Sequence, residues 1–340
     1  MNIVITGGGT GGHLRVAQAL GKYFAEQKHA VYYIGSVNGQ DIQWFDSADF
    51  VKESYFLKTS GVVNKNILGK VFSLGKIGTA TLKARKILKK NKVDAVVSVG
   101  GFSAAAASFA AVMLGTPFFI HEQNARVGRL NKLLRPFAKE FFSSYNETSP
   151  VPYPVEDEFF STRHVREEVK KIIFLGGSQG ASFINDFALS IAPRLKAMDI
   201  KIAHQCGNAD FQKLKKEYKK LDIEVELAPF WTDLSSRLSD ADMAISRAGA
   251  STLWELSANA IPTFYIPYPY AAGDHQYHNA AFLVEQNAAW MRRQKDLKEE
   301  EILSILLGSI KEQSEKLISL VHENGTPIIA DKILDRIKNA

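Results

Sequence analysis

Ile3-Val4-Ile5-Thr6-Gly7-Gly8-Gly9-Thr10-Gly11-Gly12-His13 is a short apolar run met at once by five glycines in six positions. Ile172-Ile173-Phe174-Leu175-Gly176-Gly177-Ser178-Gln179-Gly180 repeats the pattern in the second half of the chain. Four apolar residues are too few for a helix, and the glycines that bound them mark a turn. The run therefore reads as a strand buried on both faces, feeding a helix through a turn with close backbone approach.

Working outward, further strands are expected at Ala30–Ile34, Ala95–Val99, Phe118–Ile120, Ile200–Gln205, Ala241–Ile245 and Pro262–Ile266. Helical stretches alternate with them at Val16–Glu26, Gly78–Lys90, Phe183–Lys196 and Thr252–Ala258. Apolar strands alternating with helices predict α/β architecture with parallel sheets covered on both sides. Ser149-Pro150-Val151-Pro152-Tyr153-Pro154 places three prolines in six residues and cannot lie within a helix or central strand. It divides the chain into expected domains 1–150 and 151–340, the last helix being free to pack back on the first domain. The expected fold is two doubly wound, Rossmann-like domains facing each other across a cleft.

The 340 residues are 46% hydrophobic and 23% charged, which excludes a disordered or fibrous chain. A single cysteine, Cys206, excludes a disulfide framework and fits a reducing compartment. Met1-Asn2-Ile3 opens a strand and is not a signal peptide, and Ser103 to Ile120 reads as an alanine-rich helix then a strand, not a membrane span. The net charge of +6 is unevenly placed. Ten basic residues (Lys58, Lys65, Lys70, Lys76, Lys83, Arg85, Lys86, Lys89, Lys90 and Lys92) fall between Glu53 and Asp94 with no acidic residue among them. The remainder has 32 basic against 36 acidic residues, a net −4. A local patch of this kind points to an anionic surface. No nucleic-acid recognition fold accompanies it, so nucleic acid is not expected as a partner.

Gly7, Gly9 and Gly12 satisfy G-x-G-x-x-G, yet the second strand ends Tyr33-Ile34-Gly35-Ser36 without the carboxylate that would hold a nicotinamide or flavin ribose. Gly176-Gly177-Ser178-Gln179-Gly180 lacks the lysine of a nucleoside triphosphate loop but could hold a diphosphate by backbone N–H groups and the Ser178 hydroxyl. Ser246-Arg247-Ala248-Gly249-Ala250-Ser251-Thr252 follows the same logic, with Glu255 one turn into the helix, where a carboxylate could accept ribose hydroxyls. His13, at the start of a helix, is a candidate general base. His121-Glu122-Gln123-Asn124 emerges at the carboxyl end of a buried strand, where ligands of open sheets bind. Asp274-His275-Gln276-Tyr277-His278-Asn279 resembles a metal cluster by composition, but no third and fourth ligand is placed, and an amide-rich loop suits sugar hydroxyls better. No metal and no cofactor are expected.

This ordered set resembles the MurG family, the UDP-N-acetylglucosamine:lipid I N-acetylglucosaminyltransferases of bacterial peptidoglycan synthesis and hence of cell wall, shape and division. The resemblance rests on Gly8 to His13, His121 to Asn124 with Asn131, Gly176 to Ala181 with Asn185, Arg247 to Glu255, and Asp274 to Gln276 with Asn279. It implies a GT-B glycosyltransferase, with an acceptor-binding, membrane-associating N-terminal domain and a UDP-N-acetylglucosamine-binding C-terminal domain. His13, or in competition Glu122, would be the catalytic base for an inverting transfer to the 4-hydroxyl of the acceptor sugar. Thr10, Gly11, Gly12, Asn124, Asn131, Ser178, Asn185, Trp231, Arg247, Ala250, Ser251, Thr252, Glu255, His275 and Gln276 would bind substrates, the backbone near Phe230 and Trp231 holding uracil and Glu255 the ribose. The partners would be UDP-N-acetylglucosamine, lipid I and the anionic inner leaflet, at the cytoplasmic face of the inner membrane. Ile67, Leu68, Val71, Phe72 and Leu74, interleaved with Lys65, Lys70 and Lys76, would dip into that surface.

The chain departs from the family at Leu14-Arg15-Val16, where an aromatic–proline step is usual, and at Glu156, which stands where the family carries a linker arginine. Other readings are a UDP-sugar transferase for a different glycolipid, a UDP-sugar epimerase, and a non-catalytic sugar-nucleotide-binding subunit. The joint presence of His13, Glu122, Asn124 and Glu255 argues against the last.

Overall fold

The computed structural model describes residues 1–59, 67–145, 149–177 and 180–339, with residues 67–71 described by their backbone alone. The chain forms two compact units, Met1–Val155 with Asn324–Ala340, and Glu156–Glu323. The division falls at Val155–Glu156, just past the proline-rich joint, and the end of the chain belongs to the first unit.

In the first unit β1 (Asn2–Thr6), β2 (Ala30–Ser36), β3 (Glu53–Leu57), β4 (Ala95–Ser98), β5 (Phe118–Glu122) and β6 (Glu140–Ser143) form one sheet in the order β3-β2-β1-β4-β5-β6. In the second, β7 (Lys171–Leu175), β8 (Lys201–Gln205), β9 (Glu226–Ala228), β10 (Met243–Ser246), β11 (Thr263–Tyr265) and β12 (Trp290–Met291) form another in the order β12-β11-β10-β7-β8-β9. Every pairing is parallel. Counted from its own first strand, each sheet runs 3-2-1-4-5-6, the doubly wound dinucleotide order whose ligand crevice lies between the first and fourth strands. The four strands absent from the sequence reading, β3, β6, β9 and β12, are the four edges. An edge strand is covered on fewer sides and needs no unbroken apolar run, so it leaves a weaker signal.

Ile3, Val4 and Ile5 are fully buried because helices cover both faces of their sheet. On one face, Ala80, Ala84 and Leu88 of helix Ile67–Lys90 line a stripe at fourfold spacing. They meet Ala106, Ala107, Ala110 and Ala111 around helix Ala105–Leu114. Alanine on both sides lets the helices approach closely while packing on Val4, Ile34 and Val96. In the first unit the terminal helix Gly325–Lys338 lies against helix Gly11–Glu26, tied by a Tyr23 hydroxyl bond to Asp331 (2.9 Å) and an Arg336–Glu140 ion pair (2.9 Å).

The second unit is pinned by a buried guanidinium. Arg166 donates to the carbonyls of Ala241 (2.7 Å), His164 (3.2 Å), Leu238 (2.9 Å) and Asn259 (2.6 Å), and to Asn259 Oδ1 (2.7 Å). Asn259 turns its amide N–H groups to the Phe159 carbonyl and the Thr162 hydroxyl. The segment before β7 is thereby fastened to the start of β10 and to the end of helix Ala250–Ala258. Arg166→Ala removes the donor from five acceptors, each costing about 1–3 kcal/mol if left unsatisfied in the interior. The unit should lose at least about 3 kcal/mol. Trp231, Trp254 and Trp290 lie in this unit and Trp44 in the other, so urea unfolding read by fluorescence in a Trp44→Phe background measures it. A loss below about 1 kcal/mol would mean that water replaces the guanidinium.

Candidate functional site

At the carboxyl end of β1 the chain turns through Gly7 (φ +124°), and the Gly8 N–H donates to the Gly100 carbonyl (3.1 Å). A Cβ on Gly101 (φ +81°) would lie 2.2 Å from the Gly8 carbonyl oxygen. Two glycine turns, after β1 and after β4, therefore interlock by backbone alone. The second, Gly100-Gly101, is absent from the sequence motifs above; its signal is a glycine pair directly after the apolar run Ala95–Val99.

Thr10 is the N-cap of helix Gly11–Glu26 but does not cap it with its side chain. Its hydroxyl instead bonds Nδ1 of His13 (2.9 Å). This turns the ring so that a Cβ on Gly100 would stand 3.6 Å from its Nε2 and 3.1 Å from Asn131 Nδ2. Thr10, Gly11, Gly12, His13 and Asn131 thus share one end of the sheet in the first unit.

Glu122, the last residue of β5, is only 3% exposed, and both carboxylate oxygens are occupied. Oε1 accepts the Asn124 backbone N–H (3.0 Å) and Nδ2 (3.3 Å), while Oε2 accepts the Gly128 N–H (2.9 Å) and Asn131 Nδ2 (2.9 Å). Four donors match the four lone-pair sites of a carboxylate. Such a group organises the loop after β5. Beside it, His121 is fully buried and neither ring nitrogen has a hydrogen-bond partner. Burial, reinforced by His13 nearby, pushes its pKa down to about 3 and keeps it neutral.

In the second unit the turn after β7 runs through Gly176 and Gly177 to Gly180; Ser178 and Gln179 lie outside the described residues. A Cβ on Gly180 (φ +78°) would fall 2.3 Å from the Cys206 carbonyl oxygen. That carbonyl is held by Asn185 Nδ2 (2.9 Å), which also donates to Asp210 (2.8 Å). Asn185 Oδ1 bonds His204 Nε2 (3.0 Å), and His204 Nδ1 bonds the Tyr218 hydroxyl (3.0 Å). Asn185, a candidate substrate contact, is buried, and its amide is engaged on both sides, by the Cys206 carbonyl and Asp210 and by His204. Trp231 is also buried, its backbone N–H donating to Gln205 Oε1 (2.9 Å), whereas Phe230 is exposed.

Arg247 follows β10. Its Nη1 donates to the carbonyls of Ile266 (2.9 Å) and Pro267 (3.1 Å), and its Nη2 to Gln294 (3.1 Å). Its Nε is buried with no hydrogen-bond partner, and no described carboxylate pairs with the guanidinium. Burial pulls its pKa down to about 10, leaving it charged at neutral pH. Gly249, the N-cap of helix Ala250–Ala258, offers no side-chain cap, and Ala250, Ser251, Thr252 and Glu255 fall in the first two turns. Gln276 Oε1 accepts from the N–H groups of Ala248 (3.2 Å) and Tyr268 (2.9 Å), joining this turn to the loop that carries His275. His275 Nδ1 bonds the Ala272 carbonyl (2.9 Å). The unit thus gathers an uncapped helix start, glycine turns and a buried cation without a described counter-ion, a set suited to an anion.

Residues 3–143 match the glycosyltransferase family 28 N-terminal domain and residues 171–331 the glycosyltransferase family 28 C-terminal domain. A Wolinella succinogenes protein named UDP-N-acetylglucosamine–N-acetylmuramyl-(pentapeptide) pyrophosphoryl-undecaprenol N-acetylglucosamine transferase is 50% identical over 98% of this chain and 100% of its own length. A protein of the same name from Campylobacter jejuni subsp. jejuni serotype O:6 is 48% identical, with 98% of each chain covered. Among solved structures, MurG of Acinetobacter baumannii superposes with a TM-score of 0.78 at 28% identity, covering 98% of this chain and 99% of that one.

The neutral His204 gives the second unit an acid sensitivity. Burial pushes its pKa from 6.5 down to about 4, so between those values the unfolded chain binds a proton that the folded chain does not. Its contribution is complete above pH 6.5 and is lost as the pH falls to about 4, about 3 kcal/mol in all. Urea unfolding at pH 7 and pH 4.5 should show that His204→Gln is less pH-dependent than the native protein by most of that amount. Equal pH dependence in the two proteins would assign the titration elsewhere.

Proposed function

Because the chain belongs to glycosyltransferase family 28, we propose that it transfers N-acetylglucosamine from UDP-N-acetylglucosamine to the 4-hydroxyl of the N-acetylmuramyl residue of lipid I, giving lipid II. It is a hexosyltransferase of the GT-B fold, with two Rossmann-like units. The observation that carries this reading is the full-length likeness, half of all positions, to a transferase of that name. An epimerase or a binding subunit would not account for such a likeness.

In the transfer, the acceptor oxygen attacks the anomeric carbon as the bond to the UDP oxygen breaks on the opposite face, so α becomes β. The acceptor proton passes to His13 Nε2, with Thr10 bonded to the other ring nitrogen and setting the ring's orientation. Glu122 acts through Asn124, Gly128 and Asn131 as a positioning residue, which favours His13 over Glu122 as base. UDP departs as an anion. Arg247, the glycine turn carrying Ser178, and the helix start at Ala250 to Thr252 stabilise that charge. Glu255 takes the ribose hydroxyls, the segment at Trp231 the uracil, and His275 and Gln276 the sugar. Thr10, Gly11, Gly12 and Asn124 also contact the donor, and Asn131 binds substrate beside them.

The membrane enters through helix Ile67–Lys90. No described helix is long and apolar enough to cross a bilayer. Phe72 is 67% exposed, Leu74 and Leu82 are exposed as well, and Lys76 Nζ lies over the Phe72 ring (4.6 Å). Lys65 lies outside the described residues, as do the side chains of Ile67, Leu68, Lys70 and Val71. Apolar side chains interleaved with lysines suit an anionic leaflet, each basic residue contributing about 1 kcal/mol near the surface. The protein is read as peripheral, at the cytoplasmic face of the inner membrane.

Transfer of radiolabelled N-acetylglucosamine to lipid I tests the function. The native protein should form product, and His13→Ala should be slower by at least about a hundredfold. Product from both at equal rates would remove His13 as the base; no product from the native protein would overturn the function. Flotation with vesicles containing anionic lipid tests the surface. Phe72→Ser with Leu74→Ser and Lys76→Gln should reduce binding at least about tenfold while leaving affinity for UDP-N-acetylglucosamine unchanged. Undiminished flotation would return the helix to an ordinary solvated role.

A further inference from the structure

Asp41 opens the short helix Asp41–Phe45, five positions beyond the end of β2, and is fully buried. Its Oδ2 accepts the Gly9 backbone N–H (2.7 Å), and its Oδ1 accepts the Ser36 N–H (3.0 Å) and the Tyr33 hydroxyl (3.1 Å). The Tyr33 hydroxyl is shared with the Gly7 carbonyl (2.9 Å). The Tyr33 ring lies flat on Phe45, centroids 3.7 Å apart and planes 4° from parallel. Gly39, in the same loop, presses so closely on the turn that a Cβ there would stand 2.8 Å from Gly9 Cα. No described cation pairs with the carboxylate. Its charge is met by neutral donors, two of them backbone N–H groups.

We propose that Asp41 is a positioning residue for the transfer, an internal ligand that fixes the glycine turn and, through Gly9 and Thr10, aims His13. In a dinucleotide-binding unit, a carboxylate beyond the second strand takes the ribose hydroxyls. Here a carboxylate in that neighbourhood faces inward, and the protein's own backbone occupies it. The anchored N–H belongs to the residue before Thr10, whose hydroxyl is bonded to His13 Nδ1. Loss of the anchor frees the turn one residue from the group that orients the ring. A displacement of about 1 Å in a catalytic group costs on the order of a hundredfold in rate.

This proposal rests on the reading of His13 as base, and its test separates the two. Asp41→Asn keeps the shape but presents an N–H₂ group to donors. Backbone hydrogen exchange at Gly9 and Thr10 should rise at least about tenfold, because a charge-assisted bond is lost. With lipid I as acceptor, kcat should fall about a hundredfold, while KM for UDP-N-acetylglucosamine stays within about twofold. Tyr33→Phe, which keeps the Asp41–Gly9 bond, should change exchange and kcat by only about fivefold, and it carries the test if Asp41→Asn does not fold. Unchanged exchange at Gly9 overturns the proposal, as does raised exchange with unchanged kcat. A fall in kcat that only tracks the folded fraction also overturns it. A native protein inactive on lipid I would overturn the functional reading and the catalytic half of this proposal, while exchange at Gly9 would still decide the anchoring.

Discussion

A strand covered on both faces can carry polar groups only where it ends. β1, β5, β7 and β10 are apolar to their last turns, so the chain places its chemistry at their carboxyl edges: the glycine turns, Glu122, Arg247. Parallel pairing sends every carboxyl edge of a sheet the same way, and the strand order opens a crevice between the first and fourth strands of each. The remaining features of each site are ways of holding loops steady at that edge. In the first unit the means are two buried carboxylates, Glu122 and Asp41, each surrounded by N–H donors. In the second they are amides, Asn185, Gln205 and Gln276, each joining two loops.

The two units use one strand order toward opposite electrostatic ends. The carboxylates of the first unit are satisfied from within, by backbone N–H, amide and hydroxyl donors. The second unit leaves a guanidinium nitrogen buried without a hydrogen-bond partner, beside a helix whose first turn has no side-chain cap. A buried cation held only by neutral acceptors and aromatic rings is costly, and an anion would offset that cost. That asymmetry, more than the fold, distinguishes the unit proposed to hold UDP-sugar from the unit proposed to hold its acceptor.

Much of this was legible in the sequence, and what escaped follows a physical pattern. The eight inner strands announced themselves as apolar runs, and the four edges did not, because Glu53, Glu140 and Glu226 can begin an edge strand without being buried on two faces. The glycine turns after β1, β7 and β10 were visible; the turn at Gly100 was overshadowed by the longer cluster it packs against. Sequence also gave no means to tell a polar residue that faces a ligand from one that faces a loop. Asn185 and Glu122 have the composition of site residues, but Asn185 meets His204, Cys206 and Asp210 of other elements, and Glu122 meets the N–H groups of its own loop. Asp41 carries no such signal either, because it lies five residues past the end of β2 and only the folded loop brings it to Gly9.

The second unit is an insertion. The chain leaves the first unit after Val155 and returns at Asn324, and the Gly325 N–H donates to the Tyr153 carbonyl (3.0 Å), so exit and return points are bonded neighbours. Gly325 has no room for a side chain there, since a Cβ would overlap the Pro152 carbonyl. Synthesis from the N-terminus therefore delivers all of residues 156–323 before helix Gly325–Lys338 emerges to cover helix Gly11–Glu26. Domains fold as units while the chain is being made. The unit begun first is completed only after the second, and until helix Gly325–Lys338 has emerged, helix Gly11–Glu26 lacks the neighbour to which Tyr23 is tied through Asp331 and is open to other nascent chains on that side.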